Sequence, residues 1–265
     1  MIFSALTQHA IQAALQGAAV LKKGFGTTFE WSFKEGDHNL VTFYDKESEK
    51  VIVKYLRSFY PHHSFLLEES GFLQGDIQDI LWIIDPLDGT VNFAHNIPFF
   101  SISIAAMNPE GDLLLGVVLN PMSEELFVAE KNLGAFLNGQ PICVSSNSLL
   151  SKSFLATGFP YNVKENPLSC IEHFSEFAKM GVPIRRLGSA ALDLCYTACG
   201  RFDGFFEVSL QPWDFSAGAL IVQEAQGVIT NYQNLSLNFK KASPVVASNK
   251  KLHSALLNVL QKRYN

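Results

Sequence analysis

The sequence has no Cys-x-x-Cys pair, and its four cysteines, at positions 143, 170, 195 and 199, follow no disulfide-framework spacing. Reduced thiols and a cytoplasmic setting are the expectation. Cys195 and Cys199 stand four apart on an expected helix, a spacing that admits a shared metal. Their neighbours Ala190, Ala191, Leu194 and Ala198 favour a plainer reading, two small apolar fillers. No apolar run approaches the length of a membrane span. The apolar first twenty residues include Gln8, His9, Gln12 and Gln16 and lack the basic start and cleavage site of a signal peptide. Positive charge is scarce as well: 20 Lys and Arg against 25 Asp and Glu leave a net charge of -5. That balance disfavours a general polyanion binder and gives no support to a nucleic-acid or transcription-complex partner, although Lys22-Lys23 and Arg185-Arg186 are local basic pairs. Repeats, low-complexity tracts and an obvious linker are missing too. The 48% hydrophobic content therefore reads as one well-packed body, with 1–145 and 146–265 as its two halves.

What is present is a regular alternation of helix and strand patterns. Phe3, Leu6, Ala10, Ala13, Ala14, Val20 and Leu21 recur at helical spacing and predict an opening helix that ends near Gly24. Short strand-like pieces between Phe29 and Tyr44 flank a polar loop, Lys34 to Asn39, expected to be mobile and exposed. A helix follows from about Asp45 to Tyr60, stopped by Pro61, with Lys46, Glu47, Glu49 and Lys50 as a solvated face. Strands are expected at Phe65–Leu67, Leu81–Ile84, Phe100–Met107, Asp112–Leu119 and Glu125–Glu130, with Asn138-Gly139 as a hairpin turn. An antiparallel sheet packed by helices fits this half. The second half alternates strand and helix up to a closing helix from Lys251, which predicts an α/β lobe.

Carboxylates collect where these strands end. Leu81-Trp82-Ile83-Ile84 reads as a buried strand that stops at Asp85-Pro86-Leu87-Asp88-Gly89-Thr90. Pro86 fixes the chain and Gly89 lets it fold tightly, so Asp85, Asp88 and the Leu87 carbonyl can converge on one point. Hard oxygen ligands on one point suit Mg²⁺. Thr90 to Phe93 reads as the first turn of a short helix, whose free N–H groups suit a phosphate. The competing reading is a surface Asp-Gly turn with Asp88 as a helix cap. Leu67-Glu68-Glu69-Ser70 repeats the pattern of acids at a strand end. Asp45 and Asp214 stand at expected helix starts, where capping alone would explain them, and Glu207 ends an apolar strand. Leu187-Gly188-Ser189-Ala190-Ala191 reads as a turn opening a helix, with backbone N–H groups for a polar ligand.

Taken in order, these stretches resemble the signatures of the inositol monophosphatase family. Trp82-Ile83-Ile84-Asp85-Pro86-Leu87-Asp88-Gly89-Thr90 with Asn92-Phe93 is similar to the first, and Trp213-Asp214-Phe215-Ser216-Ala217-Gly218 to the second. Leu40 to Asp45, Leu67 to Ser70, Gly188 to Asp193 and Gly200 to Glu207 match the elements between and around them, most closely in bacterial members. The resemblance covers nearly the whole chain. It implies an α/β (α+β) layered αβαβα sandwich and a Mg²⁺-dependent, often Li⁺-sensitive phosphomonoesterase acting on a small phosphorylated polyol, commonly as a homodimer. It assigns two to three Mg²⁺ ions to Glu68, Asp85, the Leu87 carbonyl, Asp88 and Asp214, with Asp85 bridging two of them. It assigns catalysis to Asp45, Glu68 and Thr90. Substrate contacts fall to Asp88, Gly89, Thr90, Gly188, Ser189, Ala190, Glu207 and Asp214, and Lys34 matches a loop lysine near the metals. Val91 departs from a common Thr, Gln226 from a frequent Gly, and Asn39 from a frequent acid.

The physics agrees independently, since a carboxylate cluster repels a phosphate ester unless divalent cations reverse the local sign. A haloacid-dehalogenase-type phosphatase is excluded, because its two acids are separated by one residue and here Pro86 and Leu87 intervene. Relatives acting on adenosine bisphosphate, fructose bisphosphate or histidinol phosphate share the metal machinery, with Asn92 and Glu207 favouring the inositol branch. A regulatory protein that keeps the fold and binds protein or RNA through Arg185 and Arg186 is the alternative of a different class.

Overall fold

The computed structural model describes residues 2–34, 40–76 and 79–262. The opening helix α1 (Ala5–Gly24) starts where the Ser4 hydroxyl accepts from the Thr7 amide, and it packs against α2 (Phe43–Phe59). Between them lies a small antiparallel pair, β1 (Trp31–Phe33) and β2 (Leu40–Thr42). Residues 35–39 of the expected polar loop, Asn39 among them, lie outside the described residues.

The larger sheet has eight strands: β3 (Ser64–Leu67), β4 (Gly71–Leu73), β5 (Leu81–Asp88), β6 (Ser101–Met107), β7 (Leu113–Asn120), β8 (Glu125–Glu130), β9 (Gly134–Leu137) and β10 (Gln140–Ile142). Their spatial order is β10-β9-β8-β7-β6-β5-β3-β4. A short helix, α3 (Thr90–Ala94), follows β5 directly. The sheet is mixed rather than antiparallel throughout, because β3 runs parallel to β5. That pairing corrects the sequence expectation, and it brings the ends of both strands, with their acids, to the same edge of the fold.

The second sheet has five strands: β11 (Leu155–Thr157), β12 (Ile184–Arg185), β13 (Gly204–Leu210), β14 (Val228–Thr230) and β15 (Ser243–Ser248), in the order β12-β11-β13-β15-β14. Helices α4 (Cys170–Lys179), α5 (Ala190–Ala198), α6 (Pro212–Glu224) and α7 (His253–Leu260) complete the chain.

Strand alternation sorts the apolar side chains into three cores that separate five layers. Trp82, Ile84, Ile102 and Ile104 face α1 and α2. Ile83 and Ala105, one residue out of phase, face α5 and α6, which also receive Phe205 and Val245 from the second sheet. Phe206 and Val246 point the opposite way, onto α4 and α7. The αβαβα sandwich implied by the resemblance is the architecture observed. Helix α6 is nearly all apolar because it is covered on both sides, and Cys195 of α5 is fully buried with it. The thiols at 195 and 199 are free, and Cys195 is core filler.

Candidate active site

The first acidic element is built on a strand irregularity. β5 does not stop at Asp85 as expected but continues to Asp88, with its register against β6 shifting between the two residues. Pro86 cannot donate to a ladder, so the shift falls at the residue that cannot pair. The Leu87 amide turns back to Asp85 Oδ1 at 2.9 Å, and the Pro86 carbonyl accepts from Ser48 Oγ of α2 at 3.0 Å. Gly89 then takes φ +99 to open α3, and an added Cβ there would stand 3.1 Å from the Gly188 carbonyl oxygen. Both the left-handed backbone and the close approach require glycine.

The other acids arrive from neighbouring elements. The Glu68 amide donates to the Ile84 carbonyl at 3.3 Å, which extends the β3–β5 pairing and sets Glu68 beside Asp85. Asp214 lies in the first turn of α6, where Pro212 opens the helix and the Gln211 amide donates to Asp214 Oδ2 at 2.7 Å. The Trp213 carbonyl accepts from Ser103 Oγ of β6 at 3.0 Å, fixing that turn against the large sheet. Asp88 does not cap its own helix. Its Oδ2 accepts from Ser189 Oγ at 2.6 Å and from the Ala191 amide at 2.8 Å, at the start of α5. Ser189, expected at a substrate hydroxyl, is thus engaged by Asp88.

The electrostatics are those of crowded negative charge. Burial raises Asp85 well above the ordinary carboxylate range, and the charges of Glu68, Asp88 and Asp214 raise it further. Asp214 is raised by burial and then by Asp88 and Glu68. Burial pushes Asp88 up to about 6, although Ser189 and the α5 amides favour its charged form. Lys34 supplies the compensating cation: its Nζ lies 2.8 Å from Glu68 Oε1 and also pairs with Glu69. Burial opposes the Lys34 ammonium, but the two carboxylates outweigh it and hold its pKa above the ordinary value. The loop lysine is therefore half-buried rather than exposed.

Thr90 and Asp45 form a hydrogen-bonded pair beside this cluster. Thr90 Oγ1 lies 2.9 Å from Asp45 Oδ1 and 3.1 Å from the Leu87 carbonyl, and its single proton serves one acceptor at a time. Asp45 is buried, and its Oδ2 accepts from the Thr42 amide at 2.8 Å. The carboxylate is both the capping group of α2 and a partner of Thr90. Burial pushes it up to about 6, against the hydrogen bonds from Thr42 and Thr90.

Glu207 stands within β13 rather than at its end, just before a second register shift. Gly158 makes room for it: a Cβ there would meet Glu207 Oε2 at 2.1 Å. Burial pushes Glu207 up to about 8, Asp88 adds to this and Arg186 opposes it. Asn92 ties the halves of the site together, donating through Nδ2 to the carbonyls of Phe99 and Leu187, both at 2.7 Å. A cavity of about 340 Å³ opens alongside, bounded by Trp31, Phe33, Val91, His95, Tyr161 and Arg186. Gly158 and this aromatic rim were not singled out from sequence, since they bear no motif. Glu69 was read only as the second of two acids after a strand, and its pairing with Lys34 was not foreseen.

Among the described residues no three His, Cys, Asp or Glu side chains stand close enough to hold an ion as placed. The donor set still fits a hard dication. Glu68, Asp85, Asp88 and Asp214 are oxygen donors, the charge of Glu68 adds to the raised pKa of the three aspartates, and among the described residues Lys34 is the cation paired at the cluster.

An acid-rich centre at strand ends and helix starts of an αβαβα sandwich fits a phosphatase that works through metal ions. A model of the inositol monophosphatase family matches residues 3–264, and the chain belongs to that family. The Nus factor SuhB of Escherichia coli (strain K12) is 41% identical over 250 residues, 94% of this chain and 92% of SuhB. The crystal structure of extragenic suppressor protein suhB from Bartonella henselae matches with a TM-score of 0.92 at 37% identity, covering 98% of this chain and 100% of that one. Inositol monophosphatase from Anabaena (Nostoc) sp. PCC 7120 matches with a TM-score of 0.83 at 38% identity, covering 96% and 94%. Family membership supports phosphatase chemistry and, at the family level, dependence on Mg²⁺.

Proposed function

We propose that the protein is a Mg²⁺-dependent phosphomonoesterase that hydrolyses inositol monophosphate to inositol and phosphate. The observation that carries this reading is the convergence of Glu68, Asp85, Asp88 and Asp214, from β3, β5 and α6, beside the first turn of α3. Glu68, Asp85, the Leu87 carbonyl, Asp88 and Asp214 would hold two to three Mg²⁺ ions, which when bound neutralise the ester's charge and acidify water. In hydrolysis a water oxygen bonds to phosphorus and the phosphorus–ester oxygen bond breaks. Thr90 Oγ1 takes the water's proton as it passes its own to Asp45 Oδ1, the pair already lying 2.9 Å apart. The first-turn amides of α3 face the phosphoryl oxygens. The departing alkoxide leaves as an alcohol once protonated by solvent, and no phosphoenzyme is required.

Glu207, with Gly188, Ser189 and Ala190, is the reader of polyol hydroxyls in this proposal, because a carboxylate accepts from vicinal hydroxyls. Lys34, paired with Glu68 at 2.8 Å, would release that carboxylate to a bound cation. The test of substrate class is a panel of phosphate monoesters, including myo-inositol 1-phosphate, fructose 1,6-bisphosphate, histidinol phosphate and adenosine 3',5'-bisphosphate, compared by kcat/KM. The highest value for inositol phosphate is expected, and a preference for another member moves the assignment within the superfamily.

The name Nus factor carried by the SuhB relatives favours a second role alongside catalysis, contact with a transcription partner. Arg185 offers such a surface, exposed on the edge strand β12 with its guanidinium 5.0 Å from the centre of the Phe154 ring. Binding of that kind should survive Asp85→Asn and be lost with Arg185→Glu.

A further inference from the structure

A cavity of about 550 Å³ lies between the outer face of α2 and the end of the large sheet formed by β3 and the edge strand β4, and it takes no part in the proposed hydrolysis. Four cations of α2 line it: Lys46, Lys50, Lys54 and Arg57. Their spacing of three or four residues puts them on one helix face, and 11 residues at about 1.5 Å each spread them over roughly 16 Å. All four are exposed. Among the described residues Lys46, Lys54 and Arg57 make no ion pair, and Lys50 meets only Glu47, at 3.1 Å.

The acids of the cavity are already committed elsewhere. Glu49, expected on a solvated face, is instead buried. It accepts from the Glu69 amide at 2.9 Å and from Ser70 Oγ, and it holds the turn after β3. Glu69 is paired with Lys34. The remaining wall, Val53, Leu67 and Leu73, is apolar. Cations in a concave site with a low-dielectric wall concentrate positive potential, here on a chain of net charge -5. A solvated helix face would carry acids interleaved to neutralise these lysines, and the single one within reach serves Lys50 alone.

We propose that this cavity binds a compact polyphosphate anion, a di- or triphosphate group carried on a small molecule or free in solution. Closely spaced phosphates match a row of cations one turn apart. The concavity, closed on one side by the sheet edge, favours a small ligand over a long nucleic-acid backbone, which would need the row to continue beyond α2.

The test is calorimetric titration of the full chain with inorganic tripolyphosphate in buffer stripped of divalent ions, where the carboxylate cluster repels the probe. Saturable one-site binding is expected. It should weaken at least tenfold in Lys50→Glu/Lys54→Glu/Arg57→Glu and at least severalfold between 50 and 200 mM salt, roughly as the release of two or more counterions requires. The melting temperature of the variant, expected within a few degrees of wild type, checks that the fold survives, and Lys50→Gln/Lys54→Gln should give an intermediate loss. Absence of saturable binding, or equal affinity in the triple variant, would overturn the proposal. So would binding of a single-stranded RNA through these cations with none of tripolyphosphate. Because no divalent ion or substrate is present, none of these results depends on phosphatase activity.

Discussion

Asp85 is the residue on which the charge of the site turns, since it is buried and raised by three neighbouring acids. Asp85→Asn removes a proposed metal ligand and one of the crowded charges together. Turnover should fall by roughly a hundredfold or more, as the loss of several kcal/mol of transition-state charge stabilisation requires. Without divalent ions the same variant should melt higher than wild type. A lower melting point would mean that Asp85 is not held against its neighbours' charge. Glu207 gives the sharper pH dependence. Its pKa is raised from 4.5 to about 8, so the folded chain keeps a proton that the unfolded chain releases across that window. Stability from this group is therefore present at pH 4.5 and lost as pH rises toward 8. In chelator, Glu207→Gln should melt with wild type near pH 5 and above it near pH 8.5. A gain equal at both pH values would assign the effect to something other than ionisation. At this scale the acids were legible because the sequence pattern reads each as ending a strand or beginning a helix, although Asp85 and Glu207 prove to stand inside strands that continue past them. Gly158, whose hydrogen makes space for the Glu207 carboxylate, was not legible, because that space exists only after β13 and the residue-158 segment meet.

The helix α6 sets the position of Asp214, and what fixes α6 is its contact with the large sheet. A Cβ on Gly116 of β7 would stand 2.5 Å from the Ala217 carbonyl oxygen, a backbone atom that cannot rotate away. Gly116→Ala should therefore displace α6, costing about 1–3 kcal/mol as overpacking does. Because Asp214 moves with the helix, kcat should fall as well. A variant that loses stability and keeps full turnover would show that Asp214 tolerates the shift. Periodicity identified α6, α1 and the central strands, since each presents a continuous apolar pattern to a core. It misplaced the ends of β5 and β13. A strand that passes through a bulge keeps its extended backbone while the sequence already reads as a turn, as at Pro86. The solvated reading of Glu49 failed for a related reason, because its partners Glu69 and Ser70 come from another strand end.

Three apolar cores separated by two sheets give a scaffold that does not depend on the acidic centre, and this layering was implied by the family resemblance and is what the structure contains. The pairing of β3 with β5 was not accessible from pattern alone, because a parallel neighbour leaves the same buried signature as an antiparallel one. At the scale of the molecule, cation binding should appear as stability, since an ion that binds the gathered acids does not find them gathered in the unfolded chain. Mg²⁺ at a hundredfold excess over its Kd should add about 2.7 kcal/mol, or roughly 5–10 °C in melting temperature. Na⁺ at equal ionic strength should add far less, and equal shifts from both ions would indicate screening alone.

Phosphate release from myo-inositol 1-phosphate, followed while Mg²⁺ is titrated into chelator-treated protein, tests the carboxylate cluster most directly. The expected result is no release at zero Mg²⁺, a saturable rise as the ion is added, and near-zero release at every concentration in Asp85→Asn measured alongside. Release that does not respond to Mg²⁺, or that persists in Asp85→Asn at the wild-type rate, would contradict the role assigned to Glu68, Asp85, Asp88 and Asp214.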